Sequence, residues 1–170
     1  YALDAIELIT GNLRTSVHNG TDENARYNMA LGSLEAGLAF SNASCAAVHA
    51  LAYPLGATYH LPHGLCNTVM LQAVMEENIV SSLDRFAVIA EKMGENIEGL
   101  SLRDAAFKTI DAMTNLAKDI NVPTRLRDLD IPEEAIPQLA KDASKQQRLL
   151  SQNPRKLSEN DIEKIYRKAW

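Results

Sequence analysis

Two histidines, His49 and His63, are the residues of this chain whose type and spacing could support chemistry. His49 lies in the most apolar stretch of the sequence, and His63 follows Pro62 at the start of the next predicted helix. Neutral imidazole is a common metal ligand, and the positive end of a helix dipole would help to keep the His63 ring neutral. We expect Pro54 and Gly56 to reverse the chain between them. If the two helices then pack side by side, both rings can reach one divalent metal ion.

The spacing alone favours a structural interpretation. A His-x13-His pair matches none of the compact zinc signatures. His49 could be a core histidine with satisfied hydrogen bonds, and His63 a residue that merely starts a helix. Metal sites in enzymes usually have at least three protein ligands, and the nearby carboxylates are Glu35, Glu76 and Glu77, none of which the spacing nominates. Any further ligand is therefore expected from elsewhere.

The other histidines and motifs indicate no second site. We expect His60 to face solvent and His18 to end the first helix, where a cation suits the helix dipole. The chain has no GxSxG elbow, no P-loop and no GxGxxG motif. No catalytic residue is therefore assigned from the sequence.

Composition and charge indicate a globular protein. The chain has 170 residues, of which 46% are hydrophobic, and this excludes intrinsic disorder. The net charge of −5 gives no reason to expect nucleic acid or an anionic membrane as a partner. Cys45 and Cys66 lie in apolar segments, so we expect both to be reduced and buried and the protein to be cytoplasmic. No apolar run approaches the roughly 20 residues of a membrane helix.

Apolar residues recur every three or four positions along nearly the whole chain, and no segment alternates with period two. We therefore predict an all-α fold, a helical bundle of about seven helices. Gly32 and Gly37 would each weaken the second helix, which predicts close packing against a neighbouring helix. The predicted helices cover residues 2–17, 21–40, the small apolar stretch 43–52, 63–77, 80–93, 101–120, 138–150 and 159–169, with caps at Thr21, Ser101 and Ser158.

Four segments of the chain form recognisable motifs: MALGSLEAGLAFSN at 29–42, VHALA at 48–52, LPHGLCN at 61–67 and the closing NPR at 153–155, which precedes a helix ending in Ala-Trp. These segments resemble motifs of the iron-containing (group III) alcohol dehydrogenases. The resemblance covers essentially the whole chain. It implies the C-terminal helical domain of the iron alcohol dehydrogenase and dehydroquinate synthase-like fold.

The resemblance also implies a site. His49 and His63 would be two of the ligands of Fe²⁺ or Zn²⁺, and the family's other two, an Asp and a His one helical turn apart, would lie upstream of Tyr1. Phe40 would line the pocket near the metal, and Tyr53 stands where many members carry a further His. NAD(P) would bind mainly to an N-terminal nucleotide-binding α/β domain absent from this chain. We therefore expect residues 1–170 to be a single C-terminal helical domain that is inactive alone.

The implied function is hydride transfer between a small alcohol or aldehyde and NAD(P). Maleylacetate reductase, glycerol dehydrogenase and hydroxyacid–oxoacid transhydrogenase share the fold, but the Pro-His-Gly and Asn-Pro-Arg segments favour the alcohol dehydrogenase branch over the glycerol dehydrogenase branch. A different class of function is a non-enzymatic helical interaction domain with structural histidines. Apolar faces that would pack on the absent domain should be exposed, so we expect self-association as a homo-oligomer.

Overall fold

The computed structural model describes all 170 residues and contains helices but no strand. The predicted all-α class is confirmed, although there are nine α-helices rather than about seven. They are α1 (Ala2–His18), α2 (Glu23–Ala43), α3 (Ala47–Tyr59), α4 (His63–Asn78), α5 (Leu83–Lys92), α6 (Leu102–Asp119), α7 (Ile136–Ser144), α8 (Gln147–Leu150) and α9 (Glu159–Ala169). Three short 3-10 turns lie at Ile79–Ser81, Leu126–Leu129 and Glu133–Ala135. None of the helices is both long enough and apolar enough to cross a membrane.

The helices form two compact units. The first unit comprises residues 1–44 and 82–121, in which α1 packs on α2 and α5 packs on α6. The second comprises residues 45–81 and 122–170. Within it α3 packs on α4, α7 and α8, and α9 packs on α4 and α7. Both histidines of interest belong to the second unit.

Helix α9 closes the second unit. It begins with a capping box in which Ser158 and Asp161 satisfy each other's backbone N–H groups, and this confirms the predicted cap. At its other end the indole N–H of Trp170 donates to the carbonyl oxygen of Ile131 at 2.9 Å. The Arg127 guanidinium lies 5.6 Å from the centre of the Trp170 ring, a cation–π contact. The end of the chain is thus held at both termini of its last helix.

Two helix ends differ from the sequence prediction. The cap of α2 is Asp22 rather than Thr21, because the Asp22 carboxylate accepts from the Ala25 N–H at 2.9 Å and a charged acceptor makes the stronger cap. The helix predicted over 138–150 breaks into α7 and α8. At the break the Ser144 hydroxyl donates to the Lys141 carbonyl at 2.8 Å, a local hydrogen bond that competes with helix continuation. The predicted Ser101 cap is confirmed.

The two glycines of α2 have different surroundings. A Cβ on Gly32 would lie 2.9 Å from Cγ1 of Ile9 and 3.2 Å from Cβ of Leu8, both on α1. The close approach predicted for Gly32 is therefore confirmed. A Cβ on Gly37 would meet nothing closer than an atom of the Phe40 ring at 4.0 Å, so the prediction of close packing at Gly37 is wrong. Only Gly32 is required by the contact between α1 and α2.

We expect Gly32→Ala and Gly37→Ala to change stability in opposite directions. Alanine improves helix propensity by about 1 kcal/mol at either position. At Gly32 the added methyl group overlaps atoms close to the α1 backbone, and such overpacking typically costs about 1–3 kcal/mol. Urea denaturation should therefore show Gly32→Ala destabilised and Gly37→Ala stabilised by up to about 1 kcal/mol. Equal effects of the two substitutions would contradict the close approach at Gly32.

Candidate metal centre

Helix α3 carries His49 and Tyr53 one turn apart, so both side chains leave the same side of the helix. His49 is half-buried and Tyr53 is 40% exposed. The buried positions of α3 are mostly small and apolar, as predicted: Ala47, Ala50, Leu51, Ala52, Pro54 and Leu55. Small side chains let neighbouring helices approach closely, which holds the His49 ring at the edge of an apolar core.

The chain reverses at His60, Leu61 and Pro62, between α3 and α4. His60 ends α3 in the left-handed conformation, with φ 56° and ψ 28°, and it is exposed as predicted. The expectation that Pro54 and Gly56 make the reversal is wrong, because both lie inside α3. Proline removes a single backbone hydrogen bond, and the packing of the buried face of α3 is sufficient to continue the helix past it.

This reversal places His63, the first residue of α4, beside His49. The centres of the two imidazole rings are 5.2 Å apart, and their planes meet at 52°. The ring of Tyr53 completes the group, with its centre 6.5 Å from His49 and 6.3 Å from His63. Three of the four residues singled out from the sequence therefore lie together.

The separation of the two imidazoles fits a shared metal ion. Two rings that each bind one ion at about 2.1 Å have centres roughly 4.5–5.5 Å apart when the N–metal–N angle is about 90–115°. The 5.2 Å between His49 and His63 lies inside that range. Imidazole nitrogen is also a suitable donor for iron and zinc. The two residues present therefore fit one half of a metal site.

The chain brings no third ligand to the pair, since no cluster of three or more His, Cys, Asp or Glu side chains could hold a metal. Glu76 pairs with Lys168, and Glu77 pairs with Arg155. Glu35 belongs to the first unit, where one of its carboxylate oxygens is buried without a hydrogen-bond partner. The carboxylates of α4 are thus engaged in ion pairs.

The surroundings of His49 favour its neutral form. Burial lowers the pKa of the His49 imidazole below its usual 6.5, and the neighbouring His63 lowers it further. Burial is the larger cause, because a charged ring loses hydration in an apolar environment. A neutral ring offers the lone pair that a metal needs. The site therefore favours the protonation state that metal binding requires.

Asn67 contacts His63, although the sequence had predicted no role for it. Its Nδ2 lies 2.9 Å from Nε2 of His63, one helical turn earlier. Its Oδ1 is buried without a hydrogen-bond partner. A ring nitrogen that accepts from this amide cannot bind a metal at the same moment, so metal binding needs the other nitrogen or a turn of the amide. The spacing of four residues on one helix was the signal for this contact.

The remaining candidates are described by their own surroundings. Phe40 is on α2 in the first unit and is 56% exposed. Its role in a pocket stays a prediction. His18, also in the first unit, has its Nε2 2.7 Å from the carbonyl oxygen of Asp119. Cys66 is buried, Cys45 is half-buried, and both are free.

In the metal-free protein we expect His49 to titrate below pH 6.5. The His63→Gln substitution should raise this pKa without restoring it fully, because burial, the larger cause, remains. An NMR titration of the histidine rings measures both values, with Tyr53→Phe as the control that alters no charge at neutral pH.

The same shift has a defined sign in stability. The unfolded chain titrates near 6.5 and so binds more protons than the folded chain between the two pKa values. The contribution of His49 to stability is therefore complete above about pH 6.5 and is lost as the pH falls through the lower folded pKa. A His49 pKa at or above 6.5 would contradict this account.

Comparison with known proteins places this chain in a family. The model of the "Fe-containing alcohol dehydrogenase family, C-terminal" matches residues 1–170, and the chain belongs to that family. A curated relative, 1,3-propanediol dehydrogenase of Klebsiella pneumoniae, is 48% identical over 99% of this chain and 43% of its own length. The chain thus spans less than half the length of that relative.

Solved structures show the same relationship. A 1,3-propanediol oxidoreductase superposes with a TM-score of 0.96 at 46% identity, over 99% of this chain and 44% of the other. Sulfoacetaldehyde reductase from Bifidobacterium kashiwanohense in complex with NAD⁺ superposes with a TM-score of 0.83 at 26% identity, over 98% of this chain and 42% of the other. The family resemblance and the all-helical fold inferred from the sequence are confirmed.

Proposed function

We propose that His49 and His63 bind Fe²⁺ or Zn²⁺ as part of an NAD(P)-linked alcohol dehydrogenase. The observation that supports this most directly is the 5.2 Å separation of the two rings, which suits a shared ion. The low pKa of His49 supports it as well, because the ring stays neutral and ready to bind. Membership of the Fe-containing alcohol dehydrogenase family supplies the class of reaction.

In this proposal the side chains of the chain bind and orient. When bound, the metal and the nicotinamide supply a polarised substrate oxygen and a hydride carrier. His49, which is half-buried, and His63, which is exposed, would hold the metal at the edge of the apolar core. Tyr53, with its ring within 6.5 Å of both imidazoles, would form one wall of the substrate space.

Other parts of the site would come from residues outside these 170. A site with two protein ligands is short of the usual three or four, so we propose that the further ligands and most of the NAD(P) contacts belong to an N-terminal α/β domain. Residues 1–170 would then be the helical C-terminal domain of a larger enzyme and would be inactive alone. Relatives of more than twice this length support the proposal.

The proposed substrate is a small alcohol or the corresponding aldehyde. Two similar proteins are named for 1,3-propanediol, so a short diol is the first substrate to test. We propose that Phe40 lines the pocket, since an exposed aromatic ring can cover an apolar substrate chain. A cytoplasmic location also stays a prediction, supported by the two free cysteines.

We expect His49→Ala and His63→Ala each to abolish stoichiometric metal binding in the complete enzyme. Outer-shell changes near a metal lower affinity roughly 10–100-fold, and loss of a ligand should exceed that range. Plasma emission spectroscopy of the purified protein gives the metal content, and turnover of 1,3-propanediol with NAD⁺ gives the activity.

His60→Ala is the matched control, because His60 is exposed in the connection between α3 and α4. It should leave both metal content and turnover unchanged. Full metal content in the His49 and His63 variants, with only lower stability, would favour the non-enzymatic domain with structural histidines. Turnover by the 170-residue chain alone would contradict a site completed from outside.

Self-association remains a prediction that large exposed apolar side chains support. In α2 these are Tyr27, Leu34, Leu38 and Phe40, which are 42–68% exposed. Exposed patches of this kind commonly mark interfaces. Light scattering of the 170-residue chain should show a mass above the 18.7 kDa monomer. A clean monomer at high concentration would argue against the homo-oligomer.

A further inference from the structure

Helix α3 has a single polar connection to any other helix. The hydroxyl of Tyr166, on α9, donates to the carbonyl oxygen of Leu51 at 2.5 Å. No other hydrogen bond and no ion pair joins residues 47–59 to another element. Neither end of α3 has a side-chain cap. One specific polar contact therefore restrains the rotation of α3 about its axis.

Apolar packing alone restrains α3 weakly against rotation or sliding. The hydrophobic effect has no direction, and three of the six buried positions of α3 are alanines, which interlock less with a neighbouring helix than larger side chains do. Pro54 adds a second weakness, since it has no N–H to donate to the carbonyl of Ala50. A hydrogen bond at Leu51 acts next to that weakened turn.

Leu51 lies midway between the two site residues of α3. His49 is two residues before it and Tyr53 two residues after it. A small rotation of α3 at Leu51 would move both rings relative to His63 on α4. Tyr166 is completely buried and fills its space, and burial raises the pKa of its phenol, so the hydroxyl remains a donor at any ordinary pH.

We propose that Tyr166 is a positioning residue for the metal centre: through the Leu51 carbonyl it sets the rotation of α3 that holds His49 opposite His63. The consequence for metal binding rests on the proposed function, whereas the consequence for the two rings does not. Tyr166 itself touches neither imidazole and takes no part in the chemistry.

The test compares Tyr166→Phe with Ile162→Val in the complete protein. Phenylalanine keeps the ring and removes only the hydroxyl. Ile162 is a fully buried residue of the same helix α9, so its substitution lowers stability without touching the hydrogen bond. Both variants are studied at a temperature where circular dichroism shows them folded.

Two readouts separate positioning from general stability. In metal-free protein labelled at histidine, nuclear Overhauser contacts between the rings of His49 and His63 should weaken in Tyr166→Phe and persist in Ile162→Val. With Co²⁺ as the probe, Tyr166→Phe should bind at least about tenfold more weakly, as outer-shell changes do, and its visible absorption bands should shift.

Wild-type ring contacts and an unchanged Co²⁺ spectrum in Tyr166→Phe would overturn the proposal, even if that variant melts earlier. Failure of the unaltered protein to bind Co²⁺ would count against the proposed function, and the ring contacts would then decide the role of Tyr166. If Tyr166→Phe does not fold, hydrogen exchange of the Tyr166 hydroxyl in the unaltered protein decides instead. Slow exchange supports the buried hydrogen bond on which the proposal depends, and fast exchange overturns the proposal.

Discussion

The burial of α3 is the constraint on which the candidate site depends. This helix places small apolar residues against α4, α7 and α8, and it has no charged side chain of its own. A histidine at the edge of such a surface loses hydration, which favours the neutral ring. The same packing brings α4 alongside, so that its first residue, His63, meets His49. The neutral state of His49 and the side-by-side placement of α3 and α4 therefore have one origin, the apolar contact of α3, while the rotation of α3 is assigned to the hydrogen bond from Tyr166.

Helix α4 combines two different roles along its length. Its first turn carries His63 and Asn67 at the candidate site. Its last turn carries Glu76 and Glu77, which pair with Lys168 and Arg155. Partly exposed ion pairs of this kind contribute little stability individually, but they engage the acidic groups of α4 away from the imidazoles. His63 and Glu76 lie thirteen residues apart on α4, about 20 Å at 1.5 Å per residue, so these carboxylates are far from the His63 imidazole.

The sequence predicted the helical class, most helix positions and the proximity of His49 and His63, because these depend on periodicity and on motifs with fixed spacing. It did not predict the reversal at His60, because a left-handed non-glycine residue has no strong local signal. It treated Pro54 as an interruption, although tertiary packing carries α3 past it. Asn67 and Tyr166 were missed for another reason. Their contacts depend on side-chain direction, and for Tyr166 on a partner 115 residues away.

The lone tryptophan of the chain gives the second unit an internal optical reporter. Trp170 directly follows α9, with its indole bound to Ile131 and stacked near Arg127. Indole emission depends on hydration and on nearby charge, so any loosening of the last helix would change the wavelength and the quenching of the Trp170 emission. Because Tyr166 stands one turn earlier, fluorescence would follow the attachment of α9 without any introduced label. Tryptophan fluorescence can thus report in solution on α9, the helix whose Tyr166 contacts α3.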